Sequence, residues 1–73
     1  MVQNNFFLIV SSHKYGKSYW NGVSFGCKRK SIRYNSRKLA KDAIIKEVKP
    51  FILQLMRLKV NFQNYGVPYA EEE

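Results

Sequence analysis

Apolar residues form two strand-like runs near the start of the chain. Residues 6–10 are rich in β-branched and aromatic residues, and a polar stretch containing Gly16 separates them from a second run at residues 18–25. Two such runs joined by a short polar loop predict a β-hairpin with its turn around Gly16. Gly22 and Gly26 predict a bulge or a bend near the end of the second strand.

The middle of the chain has the pattern of an amphipathic helix. After a possible short strand at residues 31–34, Asn35 or Ser36 offers a side-chain oxygen that caps a helix start. The predicted helix runs from about residue 36 to Lys49. Its apolar stripe repeats every three or four residues and consists of Ala40, Ala43, Ile44 and Val48.

The last third of the chain decides the predicted fold class. Pro50 lacks a backbone N–H, but residues 51–55 are still apolar apart from Gln54, so we expect the helix to continue after a kink. Residues 58–62 alternate apolar and polar and predict a strand. Strand, helix and strand make a βαβ crossover with parallel strands. The sequence therefore predicts an α/β fold: a β-hairpin followed by a βαβ unit, forming a mixed sheet with one main helix.

The predicted domain organisation is simple. Residues 1–66 are predicted to form a single small α/β domain, and residues 67–73, which end in three glutamates, an acidic, solvated C-terminal tail. With 73 residues in total, such a domain has marginal stability and we expect a partner to complete it.

The charge is what points to a partner. The chain has thirteen Lys and Arg but five Asp and Glu, of which three are the terminal glutamates. Residues 28–41 contain seven Lys or Arg and no Asp or Glu. Such a run repels itself unless a polyanion lies against it, and nucleic acid is the obvious polyanion. A surface of anionic lipid is the less common alternative.

Several function classes are disfavoured. The longest apolar run has five residues, far short of a membrane span, so no segment is expected to cross a membrane and no membrane partner is predicted. The first residues also lack a secretory or organelle-targeting pattern. His13 and the single cysteine, Cys27, leave a zinc site half built. Cys27 also lacks a positioned base and a third group, and Asp42 and Glu47 do not face each other on a helix. We therefore predict a non-enzymatic protein without metal or cofactor.

A succession of motifs resembles a known family. The turn glycine Gly16 is followed by Gly26 and Cys27 leading into a basic run, then by Arg33 and Tyr34 before the helix. The remaining points of similarity are Lys28-Arg29-Lys30-Ser31, Leu39-Ala40 with Ala43, and the alternating strand at residues 58–62. Over about residues 5–66 this order resembles the first half of the small-subunit ribosomal protein eleven family, the universal protein of the ribosomal platform, and its organellar members most.

The resemblance implies an α/β sandwich of which this chain is a shortened or split half. Asn64-Tyr65-Gly66 stands where the family has a Gly-rich turn ending in Arg, and the second helix, last strand and basic tail are expected to be lost or carried by another chain. It also implies that the basic turn and the helix start contact phosphates of small-subunit ribosomal RNA. An AT-rich composition and no transit peptide suggest an organelle-encoded protein of the mitochondrial matrix.

The predicted RNA-binding set follows from the cationic run and the hairpin tip: Lys14, Lys17, Lys28, Arg29, Lys30, Ser31, Arg33, Tyr34, Arg37, Lys38 and Lys41. The alternative for the run is a solvated cationic face. Bases could also stack on aromatic rings that lie among the cations, at Tyr15, Tyr19, Trp20 and Tyr34, although core packing explains aromatics in strands equally well.

The functional prediction is a structural component of a small, mitochondrial ribosomal subunit that binds ribosomal RNA and neighbouring ribosomal proteins, with a separate chain as one source of the missing half. The main rival is a small phage-encoded protein that binds and inhibits a host enzyme or defence complex, which the size and composition also fit. A third reading is a free-standing nucleic-acid module such as a regulator. Neighbouring reading frames would separate these possibilities.

Overall fold

A computed structural model describes residues 5–13, 16–58 and 66–73. In chain order, the elements are β1 (Phe7–His13), β2 (Gly16–Trp20), β3 (Phe25–Gly26), a 3-10 turn (Lys28–Lys30), α1 (Arg37–Ala43), a π-helical segment (Ile44–Val48), α2 (Lys49–Arg57) and β4 (Tyr69–Glu72). The two α-helices and the π-helical segment follow one another directly and form one main helix.

The described strands form one antiparallel sheet in the order β3-β2-β1-β4. β1 pairs with β2, as in the predicted hairpin, and on its other side with β4. The general prediction of an α/β fold with one main helix is confirmed. The described strands are all antiparallel, so the mixed sheet is not seen among them. The predicted parallel βαβ pairing involves the strand at residues 58–62, of which 59–62 lie outside the described residues.

The end of the chain differs most from its prediction. Leu58 ends the main helix, and residues 59–62 of the predicted closing strand lie outside the described residues. Among the described residues, the sheet ends in β4, so residues 69–72, which were expected in a solvated acidic tail, form a strand that pairs with β1. Glutamates are unfavourable in strands, and here the pairing with β1 outweighs that local preference.

The predicted second strand is interrupted by a tight turn. The Asn21 side-chain oxygen accepts hydrogen bonds from the backbone N–H groups of Val23, at 2.9 Å, and Ser24, at 2.8 Å. Gly22 within this turn has a positive φ of 99°, which an L side chain rarely adopts. The chain therefore bends after Trp20 and returns as the short β3, which confirms the expected bend near the glycines.

The segment after the 3-10 turn takes over the place of β2 beside β1. Tyr34 and Phe7 exchange two backbone hydrogen bonds, of 2.8 and 2.9 Å, and form an isolated antiparallel bridge. The backbone N–H of Ile32 also bonds to the carbonyl of Trp20. Of the possible strand at residues 31–34, this bridge is what the structure shows.

The main helix begins where the sequence predicts. Ser36 is the N-cap, and its hydroxyl accepts from the backbone N–H of Leu39 at 3.2 Å. The helix continues past Pro50 as expected. The π-helical segment ends at Val48, two residues before Pro50, and covers the turn with which a proline would otherwise clash and in which it would leave a carbonyl unpaired.

One face of the sheet packs against this helix and forms the core. Ile9 and Trp20 from the sheet meet Ala40, Ala43 and Val48 from the helix, and all five are buried. Ile44, the fourth member of the predicted stripe, is partly buried against them. The apolar stripe of the helix is thereby confirmed, and the basic side chains are left to the surface.

The other face of the sheet, called here the outer face, follows from the strand register. Val10 pairs with Tyr19 on one side and with Tyr69 on the other, and Leu8 pairs with Glu71. Since side chains alternate along a strand, these residues share the face opposite the helix. Leu8 and Val10 are buried there as well. The outer face therefore combines apolar, aromatic and charged side chains.

Candidate nucleic-acid interface

The 3-10 turn presents three consecutive cations. Lys28, Arg29 and Lys30 are all exposed. The turn is held by a backbone hydrogen bond from Lys30 to Cys27 and by Ser31, whose N–H and hydroxyl both donate to the carbonyl of Lys28, at 3.1 and 2.6 Å. Because its hydroxyl proton is used in this way, Ser31 stabilises the turn, and its predicted role as an RNA contact is not needed to explain it.

The helix start presents a second group of cations. Arg37, Lys38 and Lys41 are exposed in α1, and spacings of three and four residues place Lys41 beside each of the other two. The guanidinium of Arg37 lies 5.4 Å from the ring centroid of Phe7, within the range of a cation–π contact. This contact connects the helix start to β1. The N–H groups of Arg37 can still donate hydrogen bonds to an anion.

Two other predicted RNA contacts are already engaged with carboxylates. The Lys17 ammonium lies 3.0 Å from Glu71, and Arg33 donates two hydrogen bonds to Glu73, at 2.8 and 3.3 Å. The pKa values of Lys17 and Arg33 are both raised, first by these hydrogen bonds and then by the nearby negative charge. The predicted set is therefore divided into paired and unpaired cations.

Glu73 shows the same coupling from the acidic side. The hydrogen bond from Arg33 is the main cause that lowers the pKa of Glu73, and the charges of Arg33 and Lys28 lower it further. The charge of Lys28 thus acts on the Glu73 carboxylate. The basic turn, Arg33 and the end of β4 consequently form one electrostatic neighbourhood.

The aromatic residues fall into different environments. Trp20 is 2% exposed and packs edge-on against Phe25 and Phe51, so the core reading holds for this ring and it is not a stacking surface. Tyr34 is partly buried against the core, and burial, followed by the charge of Glu47, raises its pKa. Tyr19 lies on the outer face. Lys14 and Tyr15, also predicted as contacts, lie outside the described residues.

Other chemistry finds little support in the described parts of the chain. There, no group of three or more His, Cys, Asp or Glu is placed to hold a metal ion. The His13 ring and the Ser18 hydroxyl are hydrogen-bonded at 2.9 Å, and Cys27 is exposed.

A groove of about 480 Å³ lies along α2 and is lined by Pro50, Leu53, Gln54, Arg57 and Leu58. Within residues 5–13, 16–58 and 66–73, no helix is long and apolar enough to cross a bilayer.

Sequence reasoning missed the acidic partners of the interface. Glu71 and Glu73 looked like part of a solvated tail, whereas the structure places them against Lys17 and Arg33. The two partners of each pair are 54 and 40 residues apart, so no local pattern joins them. The available signal was the geometry of a strand: side chains point to alternate faces, so if residues 69–73 are extended, Tyr69, Glu71 and Glu73 share one face.

Comparisons of this chain with protein-family models, with curated proteins and with solved structures found no match. The resemblance to the ribosomal platform family accordingly stays a prediction.

Proposed function

We propose that this protein binds ribosomal RNA through its basic turn and helix start, as a structural component of a small ribosomal subunit in mitochondria. In this proposal it is half of a platform-type α/β sandwich, and neighbouring ribosomal proteins or a separate chain complete the fold. Its work is to neutralise and fix folded RNA, without catalysis or a cofactor.

One observation carries the proposal: six exposed cations lie in two segments that are close in the chain, with no ion pair among the described residues. They are Lys28, Arg29 and Lys30 in the 3-10 turn and Arg37, Lys38 and Lys41 in α1. Nearby positive charges repel each other, and an RNA backbone removes this repulsion by placing a phosphate between them. The fixed turn and the capped helix start hold these cations in place.

The same arrangement supports positioning and does not support sequence reading. Lys and Arg contacts to phosphates orient a protein on RNA but carry no base information. The buried Trp20 and the partly buried Tyr34 offer few rings for stacking in this region. Specificity would then come from the shape of the RNA, as is common for proteins on folded RNA.

The direct test replaces Arg29 and Lys30 by Ala and measures affinity for structured RNA over a range of salt concentrations. Each lost phosphate contact removes about 0.7 to 0.9 from the slope of log affinity against log salt, so two contacts correspond to roughly a 25-fold or greater loss at 0.1 M salt. Both side chains are exposed, so the fold should be unaffected, as circular dichroism would show.

The matched control replaces Lys46 and Lys49 by Ala. These two lysines are also exposed, but they lie in the main helix beyond the basic run. It removes the same charge from another part of the surface. The proposal predicts a much smaller loss of affinity for this control. Equal losses in both variants would mean that net charge alone attracts the RNA, and unchanged binding in the first variant would contradict the proposed surface.

The groove along α2 favours a second candidate, a protein that binds another protein. Leu53, Met56 and Leu58 are exposed by 57%, 59% and 66% at or near the groove, an unusual amount of apolar surface on one helix. An inhibitor of a host enzyme, as a phage would encode, could use such a surface. If Leu53→Glu abolished inhibition of such an enzyme while RNA affinity stayed unchanged, this candidate would replace the first.

A further inference from the structure

Both ion pairs of the interface lie on the outer face and reach across β1. Lys17 pairs in register with Ser12 of β1, whereas Glu71 pairs with Leu8 on the other side. Arg33 precedes Tyr34, which bridges to Phe7 from the β2 side, and the N–H of Glu73 bonds to the carbonyl of Phe6 from the β4 side. Each pair therefore connects the last strand to a basic residue beyond the central strand.

Strand alternation selects which glutamates take part. Glu71 and Glu73 share the outer face, while Glu72 pairs with Phe7 and belongs to the face that the helix covers. Among the described residues Glu72 forms no ion pair, although it is exposed and lies between the other two. The contact with the cations is thus a property of two positions and not of acidic composition alone.

We propose that residues 69–73 act as an anionic clasp: Glu71 and Glu73 occupy Lys17 and Arg33, and an RNA backbone must displace these carboxylates to use both cations. The inference rests on the proposed function, because it concerns the same RNA-binding surface. The carboxylates take the place of phosphates, since both are anions that accept charge-assisted hydrogen bonds from Lys and Arg.

The clasp is weak enough to be opened. The side chains of the Lys17 and Glu71 pair are 43% and 36% exposed, and those of the Arg33 and Glu73 pair are 51% and 29% exposed. Ion pairs this close to solvent contribute little to folding, so a ligand with many phosphates can replace them. Only the carboxylate side chains need to turn away, and the backbone pairing of β4 with β1 stays intact.

The consequence is selectivity for dense polyanions. A single phosphate or a short oligonucleotide gains too few contacts to displace two carboxylates that are already in place. A folded RNA also engages the unpaired cations of the turn and of α1, and these additional contacts offset the displacement. The clasp thereby raises the charge density that a ligand needs for full binding.

The test measures RNA affinity of the full chain with Glu71→Gln, Glu73→Gln and both changes together. Glutamine keeps the shape and a hydrogen-bonding oxygen but removes the charge. The double variant should bind about two- to twentyfold more tightly than wild type, the range expected for two exposed ion pairs that no longer need to be broken. Glu72→Gln removes the same charge from the neighbouring position and should leave affinity nearly unchanged.

A background change separates the clasp from simple repulsion. With Lys17 replaced by Gln, Glu71→Gln should no longer increase affinity, because the cation that it would release is gone. An equal gain from all three single variants, or a gain that persists without Lys17, would overturn the clasp. Circular dichroism and thermal melting would show that each variant is folded.

Wild-type protein measured in parallel distinguishes this inference from the proposed function. If wild type binds RNA and the double variant binds no better, the clasp is refuted and the proposed function stands. If wild type does not bind but the double variant does, the clasp is strongly supported. Absence of binding by both proteins at low salt would overturn the clasp and the RNA-binding function together.

Discussion

Tyr34 joins the basic segment to the core. Its backbone bridges to Phe7, its ring packs against the buried cluster, and its hydroxyl is buried with no hydrogen-bond partner in the described part of the chain. An unpaired buried hydroxyl costs free energy, and the same burial raises the pKa of Tyr34 with help from Glu47. Tyr34 therefore holds the basic segment against the core, and packing alone accounts for its presence.

Tyr34→Phe should be neutral or stabilising at pH 7, because it removes the unpaired hydroxyl and keeps the ring. The wild-type pKa is raised in the folded state, so the phenol keeps its proton in the fold while the unfolded chain loses it above about pH 10. Ionisation of this group therefore leaves the free energy of unfolding unchanged below about pH 10 and lowers it as pH rises toward and through the raised pKa.

The measurement is urea unfolding of both proteins at pH 7 and at several values between pH 9 and 11. The free energy of unfolding should fall more steeply with pH in wild type than in the phenylalanine variant. Parallel curves would show that Tyr34 titrates as a solvent-exposed phenol. A loss of stability above about 1 kcal/mol at pH 7 would show that the hydroxyl has a hydrogen-bond partner.

At the scale of elements, the closing strand depends on a close approach at Gly66. The Gly66 N–H donates to the carbonyl of Ser12 at 2.9 Å, and its own carbonyl accepts from the Ser11 hydroxyl at 3.1 Å. A Cβ at this position would collide with the carbonyl oxygen of Ser12. This junction lies just before β4 and sets the path by which the strand meets β1.

Gly66→Ala should destabilise the fold by about 1–3 kcal/mol, since the colliding atom belongs to the backbone of β1 and cannot rotate away. Gly26→Ala is the matched control: its Cβ would meet the Asn21 side chain at an ordinary contact distance of 3.7 Å. The control should change stability by less than about 0.5 kcal/mol. Similar melting temperatures for both variants would contradict the described path of residue 66.

The elements that the sequence predicts correctly are those determined locally. The Ser36 cap, the stripe through Ala40, Ala43 and Val48, and the hairpin between β1 and β2 all depend on residues close together in the chain. β4 depends on pairing with a strand about sixty residues earlier, and its glutamates oppose strand formation locally. The sequence analysis therefore placed the closing strand at the regular alternation of residues 58–62, of which 59–62 lie outside the described residues, and assigned residues 69–72 to a tail.

On the scale of the whole molecule, the candidate site combines residues from three parts of the chain. The basic run could be predicted from composition, because seven Lys and Arg within residues 28–41 are evident in the sequence. The division into paired and unpaired cations could not be predicted from the sequence, because it depends on the pairing of β4 with β1, which brings Glu71 and Glu73 to Lys17 and Arg33. RNA binding should consequently depend more on Arg29 and Lys30 than on Lys17 and Arg33.

The most direct test of the account is sedimentation of the tagged protein from its native cells through density gradients at low and at high salt. The account predicts that it sediments with a small ribosomal subunit at low salt and shifts toward the top at high salt, because phosphate contacts weaken as salt rises. A protein that stays at the top of the gradient under both conditions, away from any ribosomal subunit, would contradict the central claim.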